Sequence, residues 1–304
     1  MNAIEVQSPA KLNLFLHITG RLDNGYHELQ SIFDIIDLHD KMRFELNHDA
    51  QISLLGAENI ATLQDNLIYK AAQMLFPFRT DCSWGCKIGI EKNIPMGAGL
   101  GGGSSNATTT LMVLNRLWQC GLTQQQLLDM AVKLGADVPI FIHGQMAWVE
   151  GIGEKISPID ITKLDATENH TLSKGKQGYI ILKPHCHIST QALFQHSELK
   201  RDYPRFNLQD YIDTPQQFEN CFEKLVLKQY PEVQQAFDYL QQYAETQSNV
   251  KLTGTGSCVF LMLNDRHSQQ DIENILAHAP CQAYHTTRIL QSQVLEKITQ
   301  ITIK

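Results

Sequence analysis

The chain has 304 residues, of which 43% are hydrophobic and 19% charged, and at ~150 residues per domain this length suggests two domains with full cores. Intrinsic disorder and a small disulfide-stapled scaffold are therefore excluded. The 25 Lys and Arg residues are outnumbered by 32 Asp and Glu residues, so the net charge of −7 provides no global positive field for nucleic acid or an anionic membrane. An anionic ligand would need a locally built site.

Seven cysteines, an odd number scattered through the chain, indicate free thiols in a reducing compartment. Cys82 with Cys86, and the run His185–His187, could be metal ligands, but neither has a second pair at zinc spacing, so ordinary packing is favoured. The N-terminal residues lack the pattern of a secretory signal, and the longest apolar stretch, 258–263, is far shorter than the ~20 residues of a membrane span. We therefore expect a cytoplasmic protein.

The first predicted elements are two strands joined by a tight turn. From position 10 to position 18 the apolar residues fall on even numbers, which is the period of a strand with one buried face. The opposite face then carries Lys11, Asn13, Phe15 and His17. Asn24-Gly25 is typical of a hairpin turn because both residue types adopt positive φ readily, and apolar residues resume over 29–38. We predict that the second strand pairs with the first.

A helix, a strand and a glycine-rich loop come next. Apolar spacing predicts a helix over 66–75 with Asp65 as its N-cap. An alternating pattern around Ile88 predicts a short strand that Pro95 ends. The glycine run 97–103 then leads into residues with apolar positions at helical spacing. Strand, glycine loop and helix therefore occur in that order.

Another helix is expected after this unit. Thr123 and Gln126 form a capping box at its start, and Gly135 closes it. The run VPIF at 138–141 then has the appearance of a short strand. Asp137 would accordingly lie at the end of a core element.

The second half of the chain begins after an irregular segment. Residues 165–178 lack periodicity and contain a single large apolar residue, which predicts an exposed loop near a domain boundary. We place the domains at 1–158 and 159–304. The elements predicted beyond the loop are a strand at 179–182, helices at 216–229 and 232–244, a strand at 259–263 and a helix at 269–278.

The run PMGAGLGGGSSNA at 95–107 is the sharpest signal for a binding site. Glycine lets the backbone approach an anion and turn successive N–H groups toward it, and the start of the following helix adds roughly half a positive charge. Two familiar nucleotide loops do not fit, since 104–126 contains no Asp or Glu for a ribose and no lysine follows the glycines. A glycine hinge before a buried helix is the alternative, although seven small residues exceed what a turn requires.

Four segments together resemble the galactokinase, homoserine kinase, mevalonate kinase and phosphomevalonate kinase (GHMP kinase) superfamily. Besides the glycine loop they are SPAKLNLFLHITGR at 8–21, KLGADVPIF at 133–141 and KLTGTGSCVF at 251–260. They span nearly the whole chain in the expected order, which is more specific than any one motif. The resemblance implies an α+β, two-domain GHMP kinase fold with an N-terminal ribosomal-protein-S5-domain-2-like α/β layer and a C-terminal ferredoxin-like α/β domain.

The resemblance also implies ATP and Mg²⁺ as cofactors. The phosphate-binding residues that it implies are Pro95, Met96, Gly97, Ala98, Gly99, Leu100, Gly101, Gly102, Gly103, Ser104 and Ser105. Many superfamily members have a serine directly after Gly-Leu-Gly that helps to hold Mg²⁺, whereas this chain has Gly102 there and reaches serine only at Ser104. The metal ligands therefore stay unknown.

Lys11 and Asp137 are the catalytic residues that the resemblance implies. In similar kinases the matching Asp accepts the proton of the substrate hydroxyl, and the matching Lys pairs with it near the transferred phosphoryl group. By residue type and position alone, Asp137 could also be a capping or turn residue, and Lys11 could be a solvated lysine.

The implied substrate is a small molecule, a cytidyl-diphosphate polyol whose hydroxyl receives the phosphoryl group. Aromatic residues near the hairpin turn could stack on its pyrimidine ring, or they could pack a small corner of the core. The substrate-binding residues that the resemblance implies are Asn13, Tyr26, His27, Phe33, Thr190 and Phe194.

Three other functions stay open on the residues alone. One is another kinase of the superfamily, for homoserine or a sugar, and the second is a non-catalytic nucleotide-binding protein on the same fold, against which the presence of both Lys11 and Asp137 argues. A nucleic-acid-binding module ranks last because the sequence has no basic stripe with interleaved aromatics. We expect a monomer or homodimer that binds neither nucleic acid nor membrane.

Overall fold

The computed structural model describes residues 3–23, 25–56, 62–161 and 177–300. Within them the first half of the chain builds a six-stranded sheet and the second half a four-stranded sheet. The described elements of the first half are β1 (Ile4–Arg21), β2 (His27–Asn47), β3 (Ile52–Leu55), α1 (Leu67–Leu75), β4 (Gly85–Glu91), α2 (Gly102–Leu117), α3 (Gln124–Leu134), α4 (Val138–His143), β5 (Ala147–Gly151) and β6 (Lys155–Pro158).

Strand β2 is the centre of the first sheet because its 21 residues pair with three other strands. β1 pairs antiparallel along one edge, while β5 and β4 pair with the beginning and the end of the other edge. The predicted hairpin is confirmed, with longer strands than expected, and Gly25 in the turn adopts a φ of +87°. Asn24, the other predicted turn residue, lies outside the described residues.

A β-bulge in β1 makes the predicted assignment of its two faces wrong. Asn13 and Phe15 pair with consecutive residues of β2, so Leu14 has no partner across the ladder, and the alternation of side chains reverses after it. Phe15 and His17 are 0% and 1% exposed instead of sharing an open face with Lys11. Lys11 and Asn13 are themselves buried, at 2% and 1% exposed, because Lys11 lies against Gly101 and Asn13 against Thr253 of the second half.

Two local predictions in the first half are also wrong. The N-cap of α1 is Asn66, whose side-chain oxygen accepts a hydrogen bond from the N–H of Ile68 (2.9 Å), whereas the Asp65 carboxylate accepts one from the hydroxyl of Thr62 (2.7 Å). The VPIF run at 138–141 belongs to helix α4, which packs against α2 and α3. A short apolar run does not distinguish a buried strand from a buried helix, so tertiary packing decides.

The second half contains four strands and six α-helices among its described residues. They are β7 (Gly178–Lys183), α5 (Thr190–Gln195), α6 (Leu208–Asp213), α7 (Glu223–Gln229), α8 (Pro231–Gln241), β8 (Val250–Leu252), β9 (Val259–Met262), α9 (Gln269–Ala277), β10 (Gln282–Thr287) and α10 (Gln293–Thr299). The strands are antiparallel in the order β10-β7-β9-β8, which is 4-1-3-2 in chain order and is the ferredoxin-like arrangement.

Most predicted elements of this half are present. The two predicted strands correspond to β7 and β9, and two of the predicted helices to α8 and α9. The helix predicted at 216–229 is reduced to α7, because the backbone around Asn220 instead pairs with Leu16 of β1: the Glu219 carbonyl accepts from the Leu16 N–H (3.2 Å) and the Cys221 N–H donates to the Leu16 carbonyl (2.8 Å). Most of the predicted loop at 165–178 lies outside the described residues.

A buried ion pair joins the two halves. Arg288, which follows β10, donates to both carboxylate oxygens of Asp34 on β2 (3.0 and 2.8 Å), and the hydroxyl of Tyr179 on β7 donates to the same carboxylate. Burial raises the pKa of Asp34, although Arg288 and Tyr179 act in the opposite direction. Helix α10 then returns to the first half, where Val294 joins the core. The boundary between 158 and 159 stays a prediction.

The sequence also led to expectations about the cysteines, metal sites and membrane-spanning segments. All seven cysteines are free thiols. Groups of three or more His, Cys, Asp or Glu placed to hold a metal ion do not occur among the described residues. In the same part of the chain, no helix combines the length and the apolar character that crossing a membrane requires.

Candidate active site

A cleft of about 810 Å³ lies where the two halves of the chain meet. The first half lines it with the glycine loop, Lys11 and Asp137, and the second half with the segments 187–190 and 254–256. All four sequence motifs therefore contribute to one site.

The glycine loop alternates between residues buried in the core and glycines with positive φ. Ala98 and Leu100 are 2% and 1% exposed, whereas Gly97, Gly99 and Gly101 adopt φ values of +61°, +76° and +70°. Glycine adopts this left-handed region freely and can turn backbone N–H groups toward an anion. Gly101 is also the N-cap of α2, and the first turn of this helix, with its unpaired N–H donors, lines the cleft.

The conformation of the loop depends on both ends of the sequence. Its carbonyls at 98, 99 and 100 accept one hydrogen bond each, from the N–H of Cys258 (3.3 Å), the hydroxyl of Thr253 (3.2 Å) and the N–H of Lys11 (3.0 Å). A Cβ atom at Gly99 would lie 2.1 Å from the carbonyl oxygen of Thr253, so this close approach requires glycine. The C-terminal glycine motif thus supports the glycine loop directly.

Lys11 and Asp137, the predicted catalytic pair, lie side by side. Lys11 Nζ is 3.3 Å from Asp137 Oδ2, and the two side chains are 2% and 38% exposed, so the carboxylate is reachable from the cleft. Asp137 stands at the N-cap of α4, but its side chain makes no capping hydrogen bond, which argues against the capping alternative. The position of a Cβ at Gly101 would be 3.1 Å from Lys11 Cγ, so the lysine lies directly against the loop.

Two more groups contact the Lys11 ammonium. It donates to Asn13 Oδ1 (2.6 Å), and it lies 4.8 Å from the ring centroid of Phe33, within the range of a cation–π interaction. Phe33 is 2% exposed and lines the cleft. Phe33 therefore lies beside the lysine. It does not form an aromatic cluster with Tyr26 near the hairpin turn, as its position in the sequence predicts.

The other predicted substrate residues lie toward the α5 end of the cleft. Thr190 and Phe194 line it, and the ring of His27 is 5.1 Å from that of Phe194. Burial, together with the charge of Arg201, lowers the pKa of His27, consistent with a neutral ring whose Nε2 accepts a hydrogen bond from Arg201 Nε (3.3 Å). Tyr26 is 61% exposed, and neither it nor His27 lines the cleft itself.

Sequence reasoning missed a polar network beneath the first turn of α2. The buried carboxylate of Asp40 pairs with Lys92, which lines the cleft, and both groups bond to the Asn106 side chain. Ser105 Oγ lies 2.8 Å from Ser8 Oγ, and Ser105 is the one predicted loop residue that does not line the cleft. No local pattern marks this network because Asp40 and Lys92 are 52 positions apart.

Comparison with known families gives the class of protein that this fold and site define. The model "GHMP kinases N terminal domain" matches residues 66–145, and "GHMP kinases C terminal" matches residues 198–282. The first match contains the glycine loop and Asp137, and the second covers much of the ferredoxin-like half. The class is that of the GHMP kinases, which use ATP as phosphoryl donor.

Curated relatives narrow the class to a family. A 4-diphosphocytidyl-2-C-methyl-D-erythritol kinase of Acinetobacter baumannii is 53% identical over 282 residues, which are 92% of this chain and 94% of that protein. A protein of the same name from Acinetobacter baylyi is 49% identical over 300 residues, 98% of this chain and 100% of that one. The chain therefore belongs to the 4-diphosphocytidyl-2-C-methyl-D-erythritol kinase family.

Solved structures agree with the fold. A crystal structure of 4-(cytidine 5'-diphospho)-2C-methyl-D-erythritol kinase matches with a TM-score of 0.75 at 25% identity, covering 94% of this chain and 99% of that chain. A mevalonate kinase of Methanococcus jannaschii matches with a TM-score of 0.63 at 16% identity, covering 95% and 98%, which shows a shared fold. The α+β, two-domain GHMP kinase fold that the resemblance implied is confirmed.

Proposed function

We propose that this chain transfers the γ-phosphoryl group of ATP to the 2-hydroxyl of 4-diphosphocytidyl-2-C-methyl-D-erythritol. The kinase activity and the substrate correspond to the name of relatives 53% and 49% identical over most of the chain. The observation that carries the proposal is the Lys11–Asp137 pair, 3.3 Å apart, directly against a glycine loop with a helix N-terminus. Phosphoryl transfer needs positioned groups and charge stabilisation more than covalent chemistry, and this site offers both.

In this mechanism Asp137 is the general base. Its carboxylate is partly exposed to the cleft and makes no capping hydrogen bond, so it is available to accept the proton of the attacking hydroxyl. Lys11 is almost fully buried and carries a positive charge beside the transferred group, where it stabilises the charge that develops in the transition state. The pair therefore combines proton acceptance with electrostatic stabilisation.

The glycine loop and the first turn of α2 hold the phosphates of ATP. Their backbone N–H groups and the helix dipole favour negative charge, and the three supported carbonyls at 98–100 keep the loop in shape before ATP binds. No lysine follows the glycines, so the backbone provides the cradle and Lys11 the nearby cation.

Mg²⁺ would enter with ATP and neutralise the charge of its phosphates. Near the loop the cleft offers the Ser104 hydroxyl, while Ser105 is engaged by Ser8. Mg²⁺ keeps several waters and binds largely through the substrate phosphates, so it needs few protein ligands. Ser104 is thus the residue that would hold it, which leaves the Asp137 carboxylate to act as the base.

The remaining part of the cleft suits the cytidyl-diphosphate portion of the substrate. Phe33, Thr190 and Phe194 line it, and His27 lies against Phe194. An aromatic ring can stack on a pyrimidine, and binding energy from that remote group positions the reacting hydroxyl. A cytoplasmic location and a monomeric or homodimeric state stay predictions.

ADP release measured across a panel of alcohols tests the proposal. The panel contains the cytidyl substrate, methylerythritol phosphate without the cytidyl group, homoserine and galactose, each with ATP and Mg²⁺. We expect turnover with the first and little with the others, and Lys11→Met should remove most of it. Equal turnover of homoserine or galactose would favour another kinase of the superfamily, and ATP binding without turnover of any alcohol would favour a non-catalytic nucleotide-binding protein.

A further inference from the structure

The ammonium of Lys11 is at the end of a chain of hydrogen bonds that begins at a main-chain carbonyl. Ser31 Oγ is 2.5 Å from the Phe15 carbonyl oxygen, Asn13 Nδ2 is 3.0 Å from Ser31 Oγ, and Lys11 Nζ is 2.6 Å from Asn13 Oδ1. Lys11, Asn13 and Ser31 are 2%, 1% and 0% exposed, so bulk water does not compete for these bonds.

The two groups at the ends of this series, a carbonyl oxygen and an ammonium, determine which atom donates in each hydrogen bond. A carbonyl oxygen only accepts, so the Ser31 hydroxyl gives its one hydrogen to Phe15 and can only accept from Asn13. An ammonium only donates, so Lys11 requires an acceptor. Both conditions hold only when Asn13 turns its NH₂ group to Ser31 and its oxygen to Lys11.

The β-bulge at Leu14 accounts for the position of the Phe15 carbonyl, where this series of hydrogen bonds begins. Bulges disrupt the ladder locally and re-aim side chains next to active sites. Phe15 is the first residue after the bulge, and its carbonyl accepts from a side chain of the neighbouring strand β2. The N–H of Asn13, just before the bulge, donates to the hydroxyl of Thr253 (3.1 Å), so the main chain of Asn13 is held as well.

We propose that Ser31 is a positioning residue for phosphoryl transfer, a role that rests on the proposed function. Its hydroxyl fixes the Asn13 amide, and Asn13 holds the Lys11 ammonium 3.3 Å from Asp137. Ser31 does not line the cleft, so it acts through Asn13 and not by touching ATP or the alcohol. Without the hydroxyl, the Asn13 side chain would keep only its bond to Lys11 and a long contact from the Thr253 hydroxyl (3.5 Å).

A matched pair of variants isolates the effect of the Ser31 hydroxyl on kcat. Ser31→Thr keeps it, and Ser31→Val has nearly the same shape without it. We expect kcat of Ser31→Val to be roughly 10-fold below that of Ser31→Thr, because small misplacements of a catalytic group cost large factors in rate. The KM values for ATP and for the cytidyl substrate should stay within about twofold, since Ser31 contacts neither.

Two comparisons separate positioning from a general loss of stability. Ser268→Ala removes the N-cap of α9 outside the cleft, so it should lower the melting temperature and leave kcat unchanged. In an Asn13→Ala background the Ser31→Val change should no longer lower kcat relative to Ser31→Thr, because the group through which Ser31 acts is gone. Ser31→Ala, which adds no bulk, provides the same comparison with wild type if the larger side chains do not fold.

Three results would overturn the assignment of Ser31. They are equal kcat in the Ser31→Thr and Ser31→Val proteins, a loss confined to KM, and the same roughly 10-fold loss in the Asn13→Ala background. Failure of the proposed function gives a different result, because the wild-type protein would then release no ADP with the cytidyl substrate.

Discussion

At the scale of single residues, one substitution tests the proposed role of Asp137 as general base. Asp137→Asn keeps the shape of the side chain and removes the carboxylate that would accept the proton. We expect kcat to fall by ~10² or more with little change in ATP affinity, because the loss is specific to the transition state. Steady-state ADP release and ATP calorimetry check this. Asp129→Asn, the same change on an exposed face of α3, should leave kcat unchanged.

A substitution at Gly101 tests the proposal that the glycine loop binds phosphate. A Cβ there would lie 3.0 Å from Phe141 Cζ and 3.1 Å from Lys11 Cγ, and the φ of +70° strains any L side chain. Gly101→Val should therefore abolish ATP binding measured by calorimetry. Gly121→Val is a matched control, since Gly121 has the same φ of +70° but no atom within 4 Å of its Cβ position and no place in the cleft. Unchanged ATP affinity in a folded Gly101→Val protein would contradict the loop assignment.

A substitution at Tyr26 tests the proposed recognition of the cytidyl group. Its side chain is 61% exposed, so its truncation removes little packing and should leave the melting temperature almost unchanged. If the ring stacks on the cytosine, Tyr26→Ala should lose roughly 1–3 kcal/mol of affinity for the cytidyl substrate and none for ATP. A lower melting temperature without a selective loss of substrate affinity would instead indicate that Tyr26 only packs the turn.

At the scale of elements, the buried pair of Arg288 and Asp34 connects the segment after β10 to β2. Both side chains are at most 1% exposed, and Tyr179 on β7 shares the carboxylate. Removal of one partner from a buried pair leaves a charge without compensation, which typically costs about 3–5 kcal/mol. The packing of β2, β7 and α10 therefore depends on this contact more than on any exposed ion pair.

Arg288→Met is the corresponding prediction. Its free energy of unfolding in urea should fall by about 3–5 kcal/mol. Lys228→Met breaks the Lys228–Glu198 pair, whose two side chains are 67% and 57% exposed, and it should hardly change the stability. Similar effects of the two substitutions would show that the buried pair does not hold the halves together.

At the scale of the whole molecule, His17 makes stability depend on pH. Its ring stacks on Tyr203 and Phe218, with centroids 4.1 and 5.6 Å away, and neither ring nitrogen has a hydrogen-bond partner among the described residues. Burial lowers the pKa of His17 to about 4, while Glu219 acts to raise it and Lys251 and Lys200 to lower it. The folded protein therefore holds this histidine neutral.

The sign of the pH effect follows from this shift. Between pH 6.5 and about 4 the unfolded chain binds a proton that the folded chain does not, so stability falls as the pH falls through this window. The single group should contribute about 3 kcal/mol to the loss. Urea unfolding at several pH values should show a shallower dependence for His17→Phe than for wild type, and His278→Phe, at an exposed position, should match wild type. Equal slopes for all three proteins would contradict the prediction.

Local signals in the sequence were sufficient for several parts of the molecule. The β1–β2 hairpin, the capping box of α3 and the glycine loop before α2 were predicted because each depends on the conformational preferences of a few adjacent residues. The resemblance of four motifs to one superfamily extended the prediction from these local elements to the whole fold and the family, and both are confirmed. Residue roles within the site stay predictions, since they concern groups that no short segment contains.

The sequence by itself determined where backbone can turn, cap a helix or approach an anion, because those properties depend on neighbouring residues. Only the tertiary structure decided which of these pieces meet. It made VPIF a helix, reversed the faces of β1 after Leu14, and brought Thr253 against Gly99 and Asp137 against Lys11. These outcomes depend on burial and hydrogen bonds between residues far apart in the chain, and such contacts exist only after the two halves have packed together.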